Sequence, residues 1–142
     1  MYDIRQPLVS IIIPCMNEEN TIEKCIQKAI YSLKCEDLAG EIIVSDSSTD
    51  RSREIAQNMG VKVVIPTGKG YGNAYLEGIR YAQGKYLLFA DADNTYDLND
   101  MPKFIKPPKD NEADFVMGTR LKGDIKKGAM PMLHRYIGNP LL

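Results

Sequence analysis

The stretch LVSIII, residues 8–13, sets the fold class. A strand with one wet face alternates apolar and polar residues. A nearly unbroken apolar run closed by Pro14 is expected of a strand covered on both sides, as in a parallel sheet. The pattern then changes period. Residues 20–33 carry apolar side chains at helical spacing (Ile22, Ile26, Ala29, Ile30 and Leu33), and Asn20 with Glu23 has the form of a capping box. EIIVS (41–45) reads as a second strand. STDRSREIAQNMG is expected to be a helix capped near Asp50 and stopped by Gly60. VKVVI (61–65) is a third strand, and a glycine-rich turn leads into a helix that closes at Gly84. KYLLFA (85–90) is a fourth strand. A short helix at 98–105, an exposed loop at 106–112 and a fifth strand at 113–118 complete the reading. Strands alternating with helices imply an α/β fold, a parallel-rich open sheet with right-handed crossovers.

In such a sheet the ligand lies beyond the carboxyl ends of the strands, where the strand order reverses. The segments that follow strands one, two and four are PCMNEE, DSSTD and DADNTYD, so all three gather on one edge. Asp91 and Asp93 are separated by one residue, and in an extended segment both point the same way. A hard divalent cation would relieve their repulsion. Magnesium typically takes one or two carboxylates and completes its shell with water and phosphate, so the pair predicts a phosphorylated ligand. The bland alternative is turn and capping chemistry, which suits Asp97. Asp46, at the end of strand two, is an acceptor able to take a base N–H or a ribose hydroxyl. Ser48 and Asp50 read as caps, and Glu18 and Glu19 as acids at a helix N-terminus. GKGYGNAY (68–75) offers three glycines and a lysine. It is neither a Walker loop nor a dinucleotide fingerprint, since Asn73 stands at the third glycine position. Arg120 follows strand five and could clamp a phosphate.

Composition excludes several classes. A net charge of -1 over 142 residues is wrong for a general nucleic-acid binder. The charge is uneven: residues 118–142 hold five Lys or Arg against Asp124 alone, and the remainder holds 13 against 18 acids. A basic end suits an anionic partner or a solvated surface. Three cysteines, Cys15, Cys25 and Cys35, with a lone His134 make neither a disulfide framework nor a zinc set, and read as reduced, buried thiols of a cytoplasmic protein. The polar start MYDIRQP does not read as a signal peptide, no apolar run reaches about 18 residues, and no N-glycosylation sequon occurs.

Together IIIPCMNEENTI, EIIVSDSSTD, GKGYGNAYLEGIRYAQGKYLLFADAD and ADFVMGTR resemble the family 2 glycosyltransferases with the GT-A fold, over roughly residues 8–122. Within these the chain looks most like the polyprenyl or dolichyl phosphate mannose and glucose synthases. The resemblance implies one domain, with residues 8–117 binding a nucleotide sugar and 118–142 beginning the acceptor-side part. It implies that Pro14, Glu18, Val44 and Asp46 surround base and ribose. Asp91 and Asp93 would hold Mg²⁺ or Mn²⁺ on the diphosphate, with backbone contacts from Ala90 and Ala92, and Arg120 would reach the phosphates. Asp91, Asp93 and Arg120 are thereby the expected catalytic set. Met16 stands where the family usually carries an aromatic residue. Family members continue well past this length, so a truncated or naturally short acceptor side is expected. The implied acceptor is a polyprenyl phosphate, at the cytoplasmic face of a membrane. Two other readings stay open: a donor-binding module without turnover, and a haloacid-dehalogenase-type phosphatase. LLFADADNT satisfies the phosphatase's strand-DxDxT pattern, with Asp91 as nucleophile.

Overall fold

The structure, a computed structural model, describes residues 6–118. Four strands, β1 (Val9–Cys15), β2 (Gly40–Asp46), β3 (Lys62–Val64) and β4 (Tyr86–Phe89), form one parallel sheet in the order β3-β2-β1-β4. Four helices connect and flank them: α1 (Ile22–Cys35), α2 (Ser52–Asn58), α3 (Tyr71–Tyr81) and α4 (Met101–Lys109). The chain builds outward from β1 to β3 and then returns to the other side of β1. The order therefore reverses between β1 and β4, where a crevice is expected.

Every residue of β1 is buried, as its unbroken apolar run predicts. Val9, Ile11, Ile13 and Cys15 join Ile42, Val44 and the inner face of α1 (Ile22, Ile26, Ala29 and Leu33) in one cluster, closed by Met101 and Ile105 of α4. Ile12 faces the other way, against α3. A methyl group on Gly78 would lie 2.4 Å from its Cγ2, so the glycine permits that close approach. At the amino edge, Glu41 gathers the Ser10 hydroxyl (2.7 Å), the Gln83 amide (2.6 Å) and the Lys62 ammonium (3.0 Å). Hydrogen bonds from these groups outweigh the burial that opposes ionisation, and hold the Glu41 carboxyl below its ordinary value.

Several expectations are corrected. No strand forms at 113–118: Phe115 and Met117 are exposed, and only three apolar residues (Phe115, Val116 and Met117) stand together there. The expected loop at 106–112 is helical through Lys109. Pro107 and Pro108 sit in its last turn, whose carbonyls are bonded by the amides of residues 110–112. The capping box fails, because α1 begins after Thr21 with no side-chain cap, and Thr21 instead bonds Glu18. All three thiols are free, but Cys35 is exposed at the last turn of α1. No helix of the described residues is long and apolar enough to cross a membrane. Arg120, His134 and nearly all of the basic 118–142 segment lie outside the described residues.

Candidate functional site

A groove of about 930 Å³ opens at the carboxyl edge of the sheet, beside the point where strand order reverses. Its walls come from four places. Pro14, Cys15, Met16 and Glu18 extend from β1. Residues 65–71 and Ala74 come from the glycine-rich turn and the start of α3. Asp91, Ala92 and Asp93 follow β4. Ser47 and Arg53 complete it from the β2 side.

The two loops after β1 and β2 are tied together by backbone amides. Asn17 takes a positive φ of 59°, which turns the chain so that its amide donates to Ser48 Oγ (2.8 Å) and the Glu18 amide donates to Ser52 Oγ (2.8 Å). Asn17 Oδ1 in return accepts from the Thr49 amide at 2.9 Å. Ser48 is therefore a bridge rather than a cap, and Asp50, one residue before the Arg51 N-cap of α2, accepts from the Ser52 amide at 3.0 Å. Glu18 combines both of its readings: Oε2 accepts from Thr21 at the start of α1 (2.9 Å), and the residue lines the groove.

Asp46 is fully buried at the end of β2. Its Oδ2 accepts from Arg53 Nε at 2.7 Å, while Oδ1 is buried without a hydrogen-bond partner among the described residues. The expected free acceptor is thus half engaged, and the arginine that engages it is itself a wall of the groove. Asp46 itself does not line the groove: it lies behind Arg53, and its unpaired oxygen is a costly buried group. Val44 lies in the core behind the site and does not line the groove. Cys15 is buried, and burial together with the Asp46 charge, partly offset by hydrogen bonds from Ser48 and Ser52, pushes its thiol up to about 11. It is a neutral packing group at neutral pH and not a nucleophile.

Asp91 and Asp93 both line the groove, but not as neighbours on one extended strand. β4 ends at Phe89, and Asp93 already sits in a turn, its Oδ1 accepting from the Thr95 amide at 2.8 Å. The turn is possible because Asn94 adopts φ 62°. Helix α1 holds this loop from behind: Cys25 Sγ donates to the Ala92 carbonyl (3.2 Å), Lys28 Nζ to Asn94 Oδ1 (2.9 Å), and Ser32 Oγ to the Leu98 carbonyl (2.7 Å). Asp97 caps the 3-10 turn at Leu98–Asp100, as its capping reading predicts. Ala90 is tied to β1 through its amide and the Ile12 carbonyl (3.1 Å), so it supports the groove from beneath.

Tyr71 and Tyr75 were not singled out by the motifs. They stand at i and i+4 on α3, and both hydroxyls reach Asp91 Oδ1, Tyr75 at 3.3 Å while also touching the Ala90 carbonyl at 3.2 Å. The rings meet edge to face at 4.9 Å, and Tyr75 packs the same way on Phe89 at 5.1 Å. Burial and the Asp91 charge push both phenols upward, so they remain protonated donors. The spacing YxxxY puts both on one face of α3, but their partner Asp91 lies sixteen and twenty residues further along the chain.

The site can take a nucleoside diphosphate. Gly70, at φ 96°, precedes the first turn of α3, whose free amides and positive end favour phosphate, with Lys69 beside them. Asn73 holds this turn by donating to the Lys69 carbonyl at 2.6 Å, which explains an asparagine where a dinucleotide loop has glycine. The donor set also fits a divalent metal. No cluster of three or more His, Cys, Asp or Glu occurs among the described residues. Two carboxylates facing one groove suffice for an ion that completes its shell with phosphate and water.

Fold and site define an open parallel α/β sheet with an acidic groove at its carboxyl edge. The model of glycosyl transferase family 2 matches residues 10–141, and the chain belongs to that family. It is 45% identical over 136 residues to the low-salt glycan biosynthesis hexosyltransferase Agl6 of Haloferax volcanii, covering 96% of this chain and 33% of the relative. It is 34% identical to glycosyltransferase AglJ of the same organism, covering 94% and 42% respectively. The chain thus spans a third to two fifths of the length of these relatives. Among solved structures, glucosyl-3-phosphoglycerate synthase of Mycobacterium tuberculosis, in complex with Mn²⁺, UDP and glucosyl-3-phosphoglycerate, superposes with a TM-score of 0.61 at 30% identity. That match covers 72% of this chain and 39% of the other. Mannosyl-3-phosphoglycerate synthase of Rubrobacter xylanophilus shares the fold at TM-score 0.66 and 21% identity, covering 72% and 36%. Asp91 follows the fourth strand of a sheet of this family, not a first strand, so the phosphatase reading is set aside.

Proposed function

We propose that this chain is the donor-binding part of a sugar transferase, holding a nucleotide sugar in the groove through a divalent ion on Asp91 and Asp93. The observation that carries this reading is the meeting of both aspartates, Lys69 and the N-terminus of α3 on one groove of about 930 Å³. That volume lies in the range of small-molecule sites. Pro14, Met16 and Glu18 flank the end assigned to base and ribose, and Asp46 is assigned to the same end behind Arg53, the groove residue that it pairs with. Mg²⁺ or Mn²⁺, when bound, would supply Lewis-acid neutralisation of the departing diphosphate. The chain's own residues position the donor: Lys69 and the α3 amides face the phosphates, and Arg120 is assigned to the same region. The Mn²⁺ and UDP named for the glucosyl-3-phosphoglycerate synthase structure support this assignment.

The proposed division places donor binding in residues 8–117 and the start of the acceptor side in 118–142. The proposed acceptor is a polyprenyl phosphate at the cytoplasmic face of a membrane. Such an acceptor arrives ionised and needs no strong protein base, and the basic residues of 118–135 suit an anionic surface. A second reading is donor binding without transfer. Thermal melting with UDP, GDP and their sugars, with Mn²⁺, Mg²⁺ or EDTA, tests the donor site. At a hundredfold excess over Kd, one nucleotide should raise Tm on the order of 5–10 °C, only with metal, and not in Asp93→Asn. No metal-dependent shift with any nucleotide overturns the proposal. A shift without sugar transfer to a polyprenyl phosphate selects the second reading.

A further inference from the structure

Asp91 differs from Asp93 in how it is held. Asp93 is exposed and accepts from the Thr95 amide of its own turn, whereas Asp91 is half-buried and receives two phenol hydroxyls from α3. Each hydroxyl has one proton. Tyr71 gives its proton to Asp91 Oδ1, so the 3.0 Å contact between the two hydroxyls is one that Tyr75 can only donate into. Tyr75 shares its proton among the Tyr71 oxygen, Asp91 Oδ1 and the Ala90 carbonyl. The edge-to-face stack running from Tyr71 through Tyr75 to Phe89 fixes where the hydroxyls stand, because Phe89 ends the strand that leads into Asp91. All of these bonds fall on Oδ1. A carboxylate pinned at one oxygen has a fixed plane, and such outer partners orient the ligands of metals.

We propose that Tyr71 and Tyr75 are positioning residues that pin Oδ1 of Asp91 and so present its other oxygen to the metal ion bound with the donor diphosphate. The proposal rests on the donor-site reading above and names the residues that tune it. Neither tyrosine touches a reacting atom. Their effect is confined to the metal-dependent part of nucleotide binding, which separates it from general damage to α3.

The test is calorimetric titration of the 142-residue chain with UDP or GDP, whichever the melting experiment selects. It is run in Mn²⁺ and in EDTA, on wild type, Tyr71→Phe, Tyr75→Phe, Asp91→Asn and Tyr71→Phe/Asp91→Asn. Tyr81→Phe, an exposed tyrosine on the same helix, is the control. Direct Mn²⁺ binding in the presence of nucleotide is followed by the loss of the free-ion electron paramagnetic resonance signal. Loss of a charge-assisted hydrogen bond should weaken metal-dependent binding roughly three- to tenfold in Tyr71→Phe, and less in Tyr75→Phe, whose proton is shared. Binding in EDTA should be unchanged, and Tyr71→Phe should add nothing once Asp91 is Asn. Unchanged Mn²⁺ affinity in both Phe variants overturns the positioning role while leaving the donor site standing. Equal losses with and without metal, or tighter Mn²⁺ binding on removal of the Tyr71 hydroxyl, also overturn it. If wild type shows no metal-dependent binding, the donor-site reading falls and this role falls with it.

Discussion

Removing the Arg53 guanidinium should unmask a buried charge. Asp46 has no exposed surface, and its one strong partner is Arg53 Nε at 2.7 Å; the second contact, from Arg53 to the Asp46 carbonyl, is 3.5 Å and weak. Deleting one partner of a buried ion pair typically costs about 3–5 kcal/mol, because the other charge stays behind without water. Arg53 is itself 36% exposed, so water can enter the vacated space, and the lower figure of about 2–3 kcal/mol is expected. Arg53→Met keeps the apolar stem and removes the charge. Urea unfolding should show a lower midpoint at an unchanged slope. Asp46→Asn in the same chain should restore at least half of the loss, since a neutral amide tolerates the site better. A loss under about 0.5 kcal/mol, the range of an ordinary surface pair, would refute the reasoning, as would a double variant no more stable than Arg53→Met.

Two further outcomes follow from the fold. Because the folded Glu41 carboxyl sits below its ordinary value of 4.5, its stabilisation is present above that pH and is lost as pH falls through the lower folded value. Wild type should therefore exceed Glu41→Gln by about 2 kcal/mol at pH 7, with the gap closing below about pH 4.5 in urea titrations; a gap that is constant from pH 7 to 3 would contradict this. Gly78→Ala should cost about 1–3 kcal/mol by driving a methyl into Ile12, and an unchanged urea midpoint would show that α3 moves off the sheet freely.

The strands were legible because burial on both faces leaves a direct trace: LVSIII and EIIVS can be covered only by helices above and below. The edge carrying the loops followed from topology alone. What the sequence did not reveal depends on contacts between distant residues. Residues 113–118 have a strand's composition, yet lie outside the sheet. Helix α4 carries Pro107 and Pro108 only in its last turn, so they interrupt the hydrogen-bond ladder just before the helix ends. Asp91 and Asp93 meet on the groove as their motif suggested, and Pro14, Glu18 and Ala92 line it as the family resemblance implied, while Val44 and Asp46 are buried behind it. Arg53 and the two tyrosines were hidden because their partners, Asp46 and Asp91, are seven, sixteen and twenty residues away. The α1 tethers from Cys25, Lys28 and Ser32 to the aspartate loop span more than sixty residues and have no local signature.

The central claim is that a metal-bound nucleoside diphosphate sits between the loop after β4 and the start of α3. Paramagnetic broadening of amide signals by Mn²⁺, recorded with the nucleotide bound, tests it most directly. Signals of residues 91–94 and 68–71 should be selectively lost. Signals of residues 34–38, at the opposite edge of the sheet, should stay sharp, and Asp91→Asn should abolish the effect. Broadening centred elsewhere, or none at saturating Mn²⁺ and nucleotide, would contradict it.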